Sequence, residues 1–275
     1  MQLTLLGTGC PSVDYKRFGP SNLVSTKNTK LLVDCGSGIT QRLHELKVSS
    51  SDIDALLFTH LHSDHAVDLY QLIISSWHSY RIKPWKIYGP QGTKKFVKKI
   101  MNAWADERNL RISFEARASA KAFEIDVVEF KSLGDIKIKD INIKYFEVDH
   151  KPVKFAYGFC FTNNNKKLTI SGDTKPCENL MKYAQKSDVL LHEVFIEGEI
   201  LEINKMRTQK TLHNVQSYHT TSSQVGKVAF ISRAKKLVLT HFVPTRFNKN
   251  KLKKVVKKDF GKDPIIGEDL MTIKI

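Results

Sequence analysis

Four side chains able to bind a metal ion fall within six residues, His60-Leu61-His62-Ser63-Asp64-His65, directly behind the apolar run 55–58. In extended chain, residues two apart project from the same face, so His60 and His62 can share one ion. A tight turn then lets Asp64 and His65 face a second ion close by. Three more strand-like runs each end in a candidate ligand: 145–148 leads to His150, 168–170 to Asp173, and 237–239 to His241. Any one of these alone would be a turn residue or a satisfied core histidine. Beside the first cluster they read as its completion, because ligands on the tips of rigid strands keep their geometry while the ions stay open to substrate. Imidazole and carboxylate suit zinc, iron or manganese alike, so the set leaves the metal open.

Around these positions, short apolar runs alternate with helix-like stretches and glycine turns, the pattern of an α/β chain. Strands are expected at 3–6, 30–35, 55–58, 85–88, 141–148, 157–161, 167–170, 189–191, 237–239 and 271–275. Helices are expected at 39–46, 67–76, 92–107, 178–184, 222–232 and 248–258. Thr220 or Thr221 would cap the helix at 222–232. Residues 109–135 read as a meander or hairpin. No Ser/Gly/Pro-rich linker interrupts the sequence, so residues 1–275 are read as a single domain. The strings Leu56-Leu57-Phe58-Thr59-His60 and Leu237-Val238-Leu239-Thr240-His241 echo each other, each an apolar strand ending in Thr-His. That echo suits two similar α/β halves packed sheet to sheet.

Composition narrows the class. No apolar run approaches the ~18 residues a membrane-spanning helix needs. The first residues lack the basic start and cleavage-like site of a secretory signal. A cytoplasmic location without membrane contact is therefore expected. The four cysteines, Cys10, Cys35, Cys160 and Cys177, form no CxxC pair and read as reduced thiols, buried or beside the site. The net charge of +16 suits a polyanionic partner such as nucleic acid. Much of it, however, is lysine within 94–99 and 249–258, and such runs are usually solvated helix faces.

The HxHxDH cluster, followed by a lone His150, Gly172-Asp173-Thr174 and a late Thr240-His241, resembles the metallo-β-lactamase superfamily, and within it the ribonuclease Z group. The likeness runs nearly end to end. It passes through Leu6-Gly7-Thr8-Gly9, Leu32-Val33-Asp34-Cys35-Gly36, Tyr88-Gly89-Pro90-Gln91-Gly92, His192-Glu193 and Tyr218-His219-Thr220-Thr221. The resemblance implies an αββα sandwich with its site at one edge of the two sheets. It implies that His60, His62 and His150 hold one divalent ion, Asp64, His65 and His241 the second, and that Asp173 bridges them. Zinc is the expected metal, with Mn2+ and Fe2+ as alternatives. Two ions sharing a water produce hydroxide near neutral pH and neutralise charge on an ester oxygen. Asp34 would support the ligand loop from behind. His219, held by Glu193, resembles the pair that protonates a leaving group, and Asp64 is counted with them among the catalytic residues. A helix-capping or phosphate-contacting role for His219 stays open. His192 reads as a buried hydrogen-bonding residue, and His44, His78 and His213 as surface or packing residues.

Ribonuclease Z proteins carry a long glycine-rich arm that grips tRNA, often between the lone His and the Gly-Asp-Thr. Here 22 residues separate His150 from Asp173, room for a strand hairpin and no arm. The family's Gly-Leu-Pro-Gly after the first cluster is replaced by Asp68-Leu69-Tyr70-Gln71, and its Gly-Glu-Gly-Thr-Gln by Gly36-Ser37-Gly38-Ile39-Thr40-Gln41. The expected activity is a dinuclear phosphodiesterase acting on RNA or a smaller phosphodiester. The alternative is a small-molecule hydrolase of the same fold, cleaving a sulfate ester, lactone or thioester. Thr174-Lys175-Pro176 lacks the apolar residues that a glyoxalase II-like thioesterase would carry there. A third class, a basic nucleic-acid-binding protein with a relic site, conflicts with the complete ligand set. A homodimer is a candidate assembly.

Overall fold

The computed structural model describes residues 1–199 and 208–275, in which two seven-stranded sheets pack face to face with helices outside both. The first sheet runs β1 (Gln2–Gly7), β2 (Ser21–Ser25), β3 (Lys30–Val33), β4 (Ala55–Leu57), β5 (Trp85–Gly89) and β6 (Ile125–Glu129). The second runs β7 (Leu133–Ile138), β8 (Ile141–Glu147), β9 (Tyr157–Asn163), β10 (Lys166–Ile170), β11 (Val189–Phe195), β12 (Leu237–Val243) and β13 (Ile265–Ile266). β14 (Thr272–Lys274) then returns to the first sheet and pairs with β1. Five helices belong to the first half: α1 (Ile39–Glu45), α2 (Ser63–Ala66), α3 (Leu69–His78), α4 (Thr93–Ala103) and α5 (Ala105–Glu115). The second half carries α6 (Glu178–Tyr183), α7 (Gln209–Gln216), α8 (Ser222–Ile231) and α9 (Lys249–Phe260). This is the αββα sandwich expected from the sequence.

Alternation along each strand sorts its side chains between two cores. In β4, Ala55 and Leu57 join Leu31 and Val33 of β3 between the sheets, whereas Leu56 turns outward to Leu43 of α1 and Leu72 of α3. In β12, Val238 faces the inter-sheet core, while Leu237 and Leu239 meet Val225 of α8 and Val256 of α9. Each leucine buried this way contributes roughly 1.5–3 kcal/mol. β3, β4 and β5 are parallel, as are β10, β11 and β12, so the C-terminal strand ends gather at the rim that carries the candidate ligands.

Two expectations need correction. The helix expected at 92–107 is two helices: α4 stops at Ala103, and α5 restarts at Ala105 and reaches Glu115. At the break, Trp104 stacks on Tyr70 with ring centroids 5.2 Å apart. Nor do residues 109–135 form a hairpin or meander, because β6 and β7 belong to opposite sheets. The link between them places Phe130 in the inter-sheet core. Both strands are edges, half-buried on one face and exposed on the other, which leaves their apolar signal weak. Thr221 caps α8, in a capping box with Gln224. All four cysteines are free, and Cys10, Cys35 and Cys160 are buried. No described helix is long and apolar enough to cross a membrane. The lysines of α4 and α9 are exposed, and Lys257 of α9 is paired with Asp263.

Candidate metal centre

β4 leads into Thr59 and His60, and the chain then turns through His62 into α2, which carries Asp64 and His65. Across the rim, the segments after β8 and β10 bring His150 and Asp173, and β12 brings His241. Ligand atoms of His60, His62, His150 and Asp173 all lie within 4.8 Å of one another, as do those of Asp64, His65 and His241. Oδ2 of Asp173 is central to both groups. It lies 3.9 Å from Nε2 of His60 and of His150, 3.4 Å from His65 Nε2 and 3.2 Å from His241 Nε2. All seven ligand candidates from the sequence meet here.

Local backbone explains the convergence. Asp34 and His241 adopt φ of 64° and 45°, a left-handed region that side chains other than glycine rarely enter. His241 is the extra residue of a bulge in β12: Thr240 pairs with Glu193, and Phe242 already pairs with Val194. A bulge re-aims a side chain, here toward the rim. Gly172, at φ 61°, passes so close to β9 that a Cβ would sit 2.6 Å from the Tyr157 carbonyl oxygen. Only glycine lets the chain carry Asp173 past that point.

Three of the buried imidazoles, His60, His65 and His150, are held by Nδ1 so that Nε2 points inward. His60 Nδ1 lies 3.0 Å from Thr59 Oγ1, His65 Nδ1 2.9 Å from Asp34 Oδ2, and His150 Nδ1 2.9 Å from the Tyr218 carbonyl oxygen. Asp34 also accepts from Thr59 N at 2.7 Å and from Thr59 Oγ1 at 2.8 Å, so it ties the ligand loop to the end of β3. The inward atoms, Nε2 of His60, His65 and His150, are buried without a well-aligned hydrogen-bond partner. An unpartnered buried polar atom costs about 1–3 kcal/mol. Three of them facing one carboxylate oxygen make a donor set that fits divalent cations.

Electrostatics agrees with that fit. Burial, reinforced by the charge of His65, pushes His60 well below the ordinary imidazole range. Burial opposes protonation of His65 and His241 too, but the carboxylates outweigh it. Asp173 and Asp34 hold His65 well above its usual value, and Asp173 with Asp64 holds His241 up at about 9. Asp173, which burial alone would raise, is held well below the usual carboxylate range by His241 and His65. At pH 7, below the folded-state value of about 9, metal-stripped protein therefore keeps a proton on His241. Zinc needs that ring neutral, so titration with zinc at pH 7 is expected to release the His241 proton. Acidification of a weakly buffered dye solution measures this, and the release should shrink as pH rises through about 9. Zinc uptake without acidification would contradict the assignment.

His219 stands beside the cluster with its Nδ1 2.9 Å from Glu193 Oε1. The same oxygen accepts from Thr174 N at 3.0 Å and Thr220 N at 3.2 Å. Because Thr221 caps α8, His219 is not a helix cap. His192 is buried with Nδ1 2.8 Å from the Glu193 carbonyl oxygen and joins no ligand group, as expected. His44, His78 and His213 are exposed. The sequence reading missed Thr59, Thr174, Thr220 and the Tyr218 carbonyl as braces. It also missed α7, whose Leu212 and Val215, three apart, were the available signal. The cluster opens into a cavity of about 410 Å³ lined in part by these two residues. A larger cavity, about 680 Å³, lies between α1, α3 and α5 and contains none of the candidate ligands. Between His150 and Asp173 the chain forms the β9–β10 hairpin, turned through Asn164 and Asn165, with no length for an arm.

Two stacked sheets with this His/Asp cluster at their rim define a metal-dependent hydrolase of the metallo-β-lactamase fold. Residues 1–203 match the family model described as Anti-Pycsar protein Apyc1. The chain is also 31% identical to Ribonuclease Z of Mycolicibacterium gilvum (strain PYR-GCK), over 100% of this chain and 96% of that one. It belongs to the family of metallo-β-lactamase-fold hydrolases that these two matches mark out, ribonuclease Z and Apyc1. Among solved structures, the metallo-β-lactamase fold protein YhfI from Bacillus subtilis is similar with a TM-score of 0.77 at 18% identity, covering 99% of this chain and 98% of that one. Human tRNase Z, short form, gives 0.72 at 23% identity, covering 100% and 99%. These two share the fold.

Proposed function

We propose that this chain is a dinuclear phosphodiesterase, with zinc as its first-choice metal, that cleaves a small phosphodiester. The observation that carries this is the His219–Glu193 pair beside the seven-residue cluster, with His219 lining one cavity together with His62, Asp64, Asp173 and His241. The ribonuclease Z relatives support a phosphodiester as the bond cleaved. A hairpin in place of an arm, and a cavity of about 410 Å³, support a small substrate over a tRNA. No lysine lines that cavity among the described residues, so the basic helices serve as solvated surface. Residues 1–275 act as one domain, because β14 closes the first sheet against β1.

His60, His62 and His150 would hold one ion, Asp64, His65 and His241 the other, with Asp173 shared. Bound there, the ions supply hydroxide near neutral pH and neutralise charge on the phosphoryl oxygens. The chain's own residues do the rest. Glu193, fixed by two backbone N–H groups, accepts a hydrogen bond from Nδ1–H of His219 and so orients the ring with Nε2 as the donating atom. The departing oxygen takes the Nε2 proton as its bond to phosphorus breaks. Asp34, through His65 and Thr59, keeps the ligand loop in place.

The test is hydrolysis of bis(4-nitrophenyl) phosphate beside 4-nitrophenyl sulfate and a precursor tRNA. Diester cleavage should dominate, stop on chelation and return with zinc, and the precursor should be processed poorly. Faster turnover of the sulfate ester would move the chain to the small-molecule hydrolases. Efficient precursor cleavage in moderate salt, where simple lysine–phosphate attraction is weakened, would make RNA the substrate.

A further inference from the structure

The opening at the metal centre has two lobes. One, about 410 Å³, is walled by Leu212, Val215 and Tyr218 and contains His219. The other, about 380 Å³, follows the loop behind β1 and is walled in part by Val13, Tyr15 and Val67, without His219. The lobes share residues 10–12 together with Ser63 and Asp64, so each opens onto the same ligand.

Both lobes present apolar side chains that belong to none of the three cores among the described residues. α7 buries none of its residues, although Leu212 and Val215 lie three apart on one face, and Tyr218 follows just past its end. Helices ordinarily spend such a stripe on packing; here it faces the cavity. In the second lobe Val13 is 100% exposed, Tyr15 74% and Val67 62%, and all three line the same cavity as Asp64.

The geometry points to a division of the substrate between the lobes: the leaving half of the diester lies against Leu212, Val215 and Tyr218, and the retained half against Val13, Tyr15 and Val67. This rests on the phosphodiesterase function proposed above. A general acid must lie within hydrogen-bond reach of the oxygen it protonates, and His219 lines only the first lobe. Water oxygen bonds to phosphorus, and the P–O bond on the His219 side breaks. The departing oxygen takes the Nε2 proton, one proton of the water stays on the phosphate product, and the other replaces the one lost from His219. The phosphate stays as a monoester on the half held by Tyr15. Apolar walls that carry aromatic rings, Tyr218 in the first lobe and Tyr15 with Phe18 in the second, suit planar groups, a nucleobase or an aryl ring, by stacking.

Two substrates with the same leaving group separate the lobes: thymidine 5′-(4-nitrophenyl phosphate) and methyl 4-nitrophenyl phosphate. Tyr15→Ala should lower the kcat/KM ratio of the thymidine ester to the methyl ester by roughly tenfold, carried in KM. Leu212→Ala should lower kcat/KM for both esters by the same factor, so that the ratio stays put. Metal content of both variants, measured alongside, removes loss of the site as an explanation. A ratio that falls in Leu212→Ala and holds in Tyr15→Ala would reverse the assignment, and a ratio that moves in neither would remove it. Absence of turnover of either ester by the unmodified, zinc-loaded protein would instead overturn the phosphodiesterase function itself.

Discussion

Replacing Asp173 with alanine is expected to empty both cation positions at once. Elemental analysis of the unmodified protein should find close to two transition-metal ions per chain, and the variant should carry nearly none. The reason is the placement of Oδ2, within 3.9 Å of the inward nitrogens of His60, His65, His150 and His241. His150→Ala removes a side chain belonging to only one group and should leave the second ion in place. Diester hydrolysis by Asp173→Ala should fall by on the order of 10³-fold or more, because cation stabilisation of the transition state is worth several kcal/mol. Two ions still bound in Asp173→Ala would mean that the carboxylate is not shared.

His219→Ala should behave in the opposite way, keeping its metal and losing chemistry. Activity on diesters with poor, alkoxide-like leaving groups should drop by roughly 10²–10⁴-fold, the usual contribution of a general acid. With nitrophenolate, which departs without protonation, the loss should be far smaller. Glu193→Gln should show the same selectivity more weakly, since Glu193 acts by holding Nδ1 of the ring. Equal losses on good and poor leaving groups would give His219 a substrate-binding role. Metal loss would place it among the ligands, a real alternative because its ligand atom lies within 4.8 Å of those of Asp173 and His241.

The ligand set was legible because chemistry and position coincide in it. His60, His62, Asp64 and His65 are near neighbours in sequence, and the remaining three candidates each follow an apolar strand. The strands carrying them were legible for a related reason: both faces of β4 and β12 are buried, so their apolar runs are unbroken. Weaker signals failed where burial was partial or the working group was backbone. β2 begins Ser21-Asn22, buried polar residues, with Ser21 Oγ donating to the Asp34 carbonyl oxygen. α7 looked like a polar stretch because its few apolar residues face a cavity. The brace on His150 is the carbonyl of Tyr218, which any residue would supply. The bulge that turns His241 shows only once β12 is paired with β11.

The two groups of candidate ligands are not confined to one layer of the sandwich. His60, His62, Asp64 and His65 hang from the first sheet, while His150, Asp173 and His241 hang from the second. At this rim the layers also touch through backbone, where Tyr157 N donates to the Thr59 carbonyl oxygen and Phe242 N to that of Thr8. An ion seated among these side chains would therefore be a rivet as well as a catalyst. Free ion at a thousand times its dissociation constant would hold the folded state by about 4 kcal/mol. Scarcity of that ion would then unfasten the two halves of the sandwich at the same rim where hydrolysis stops.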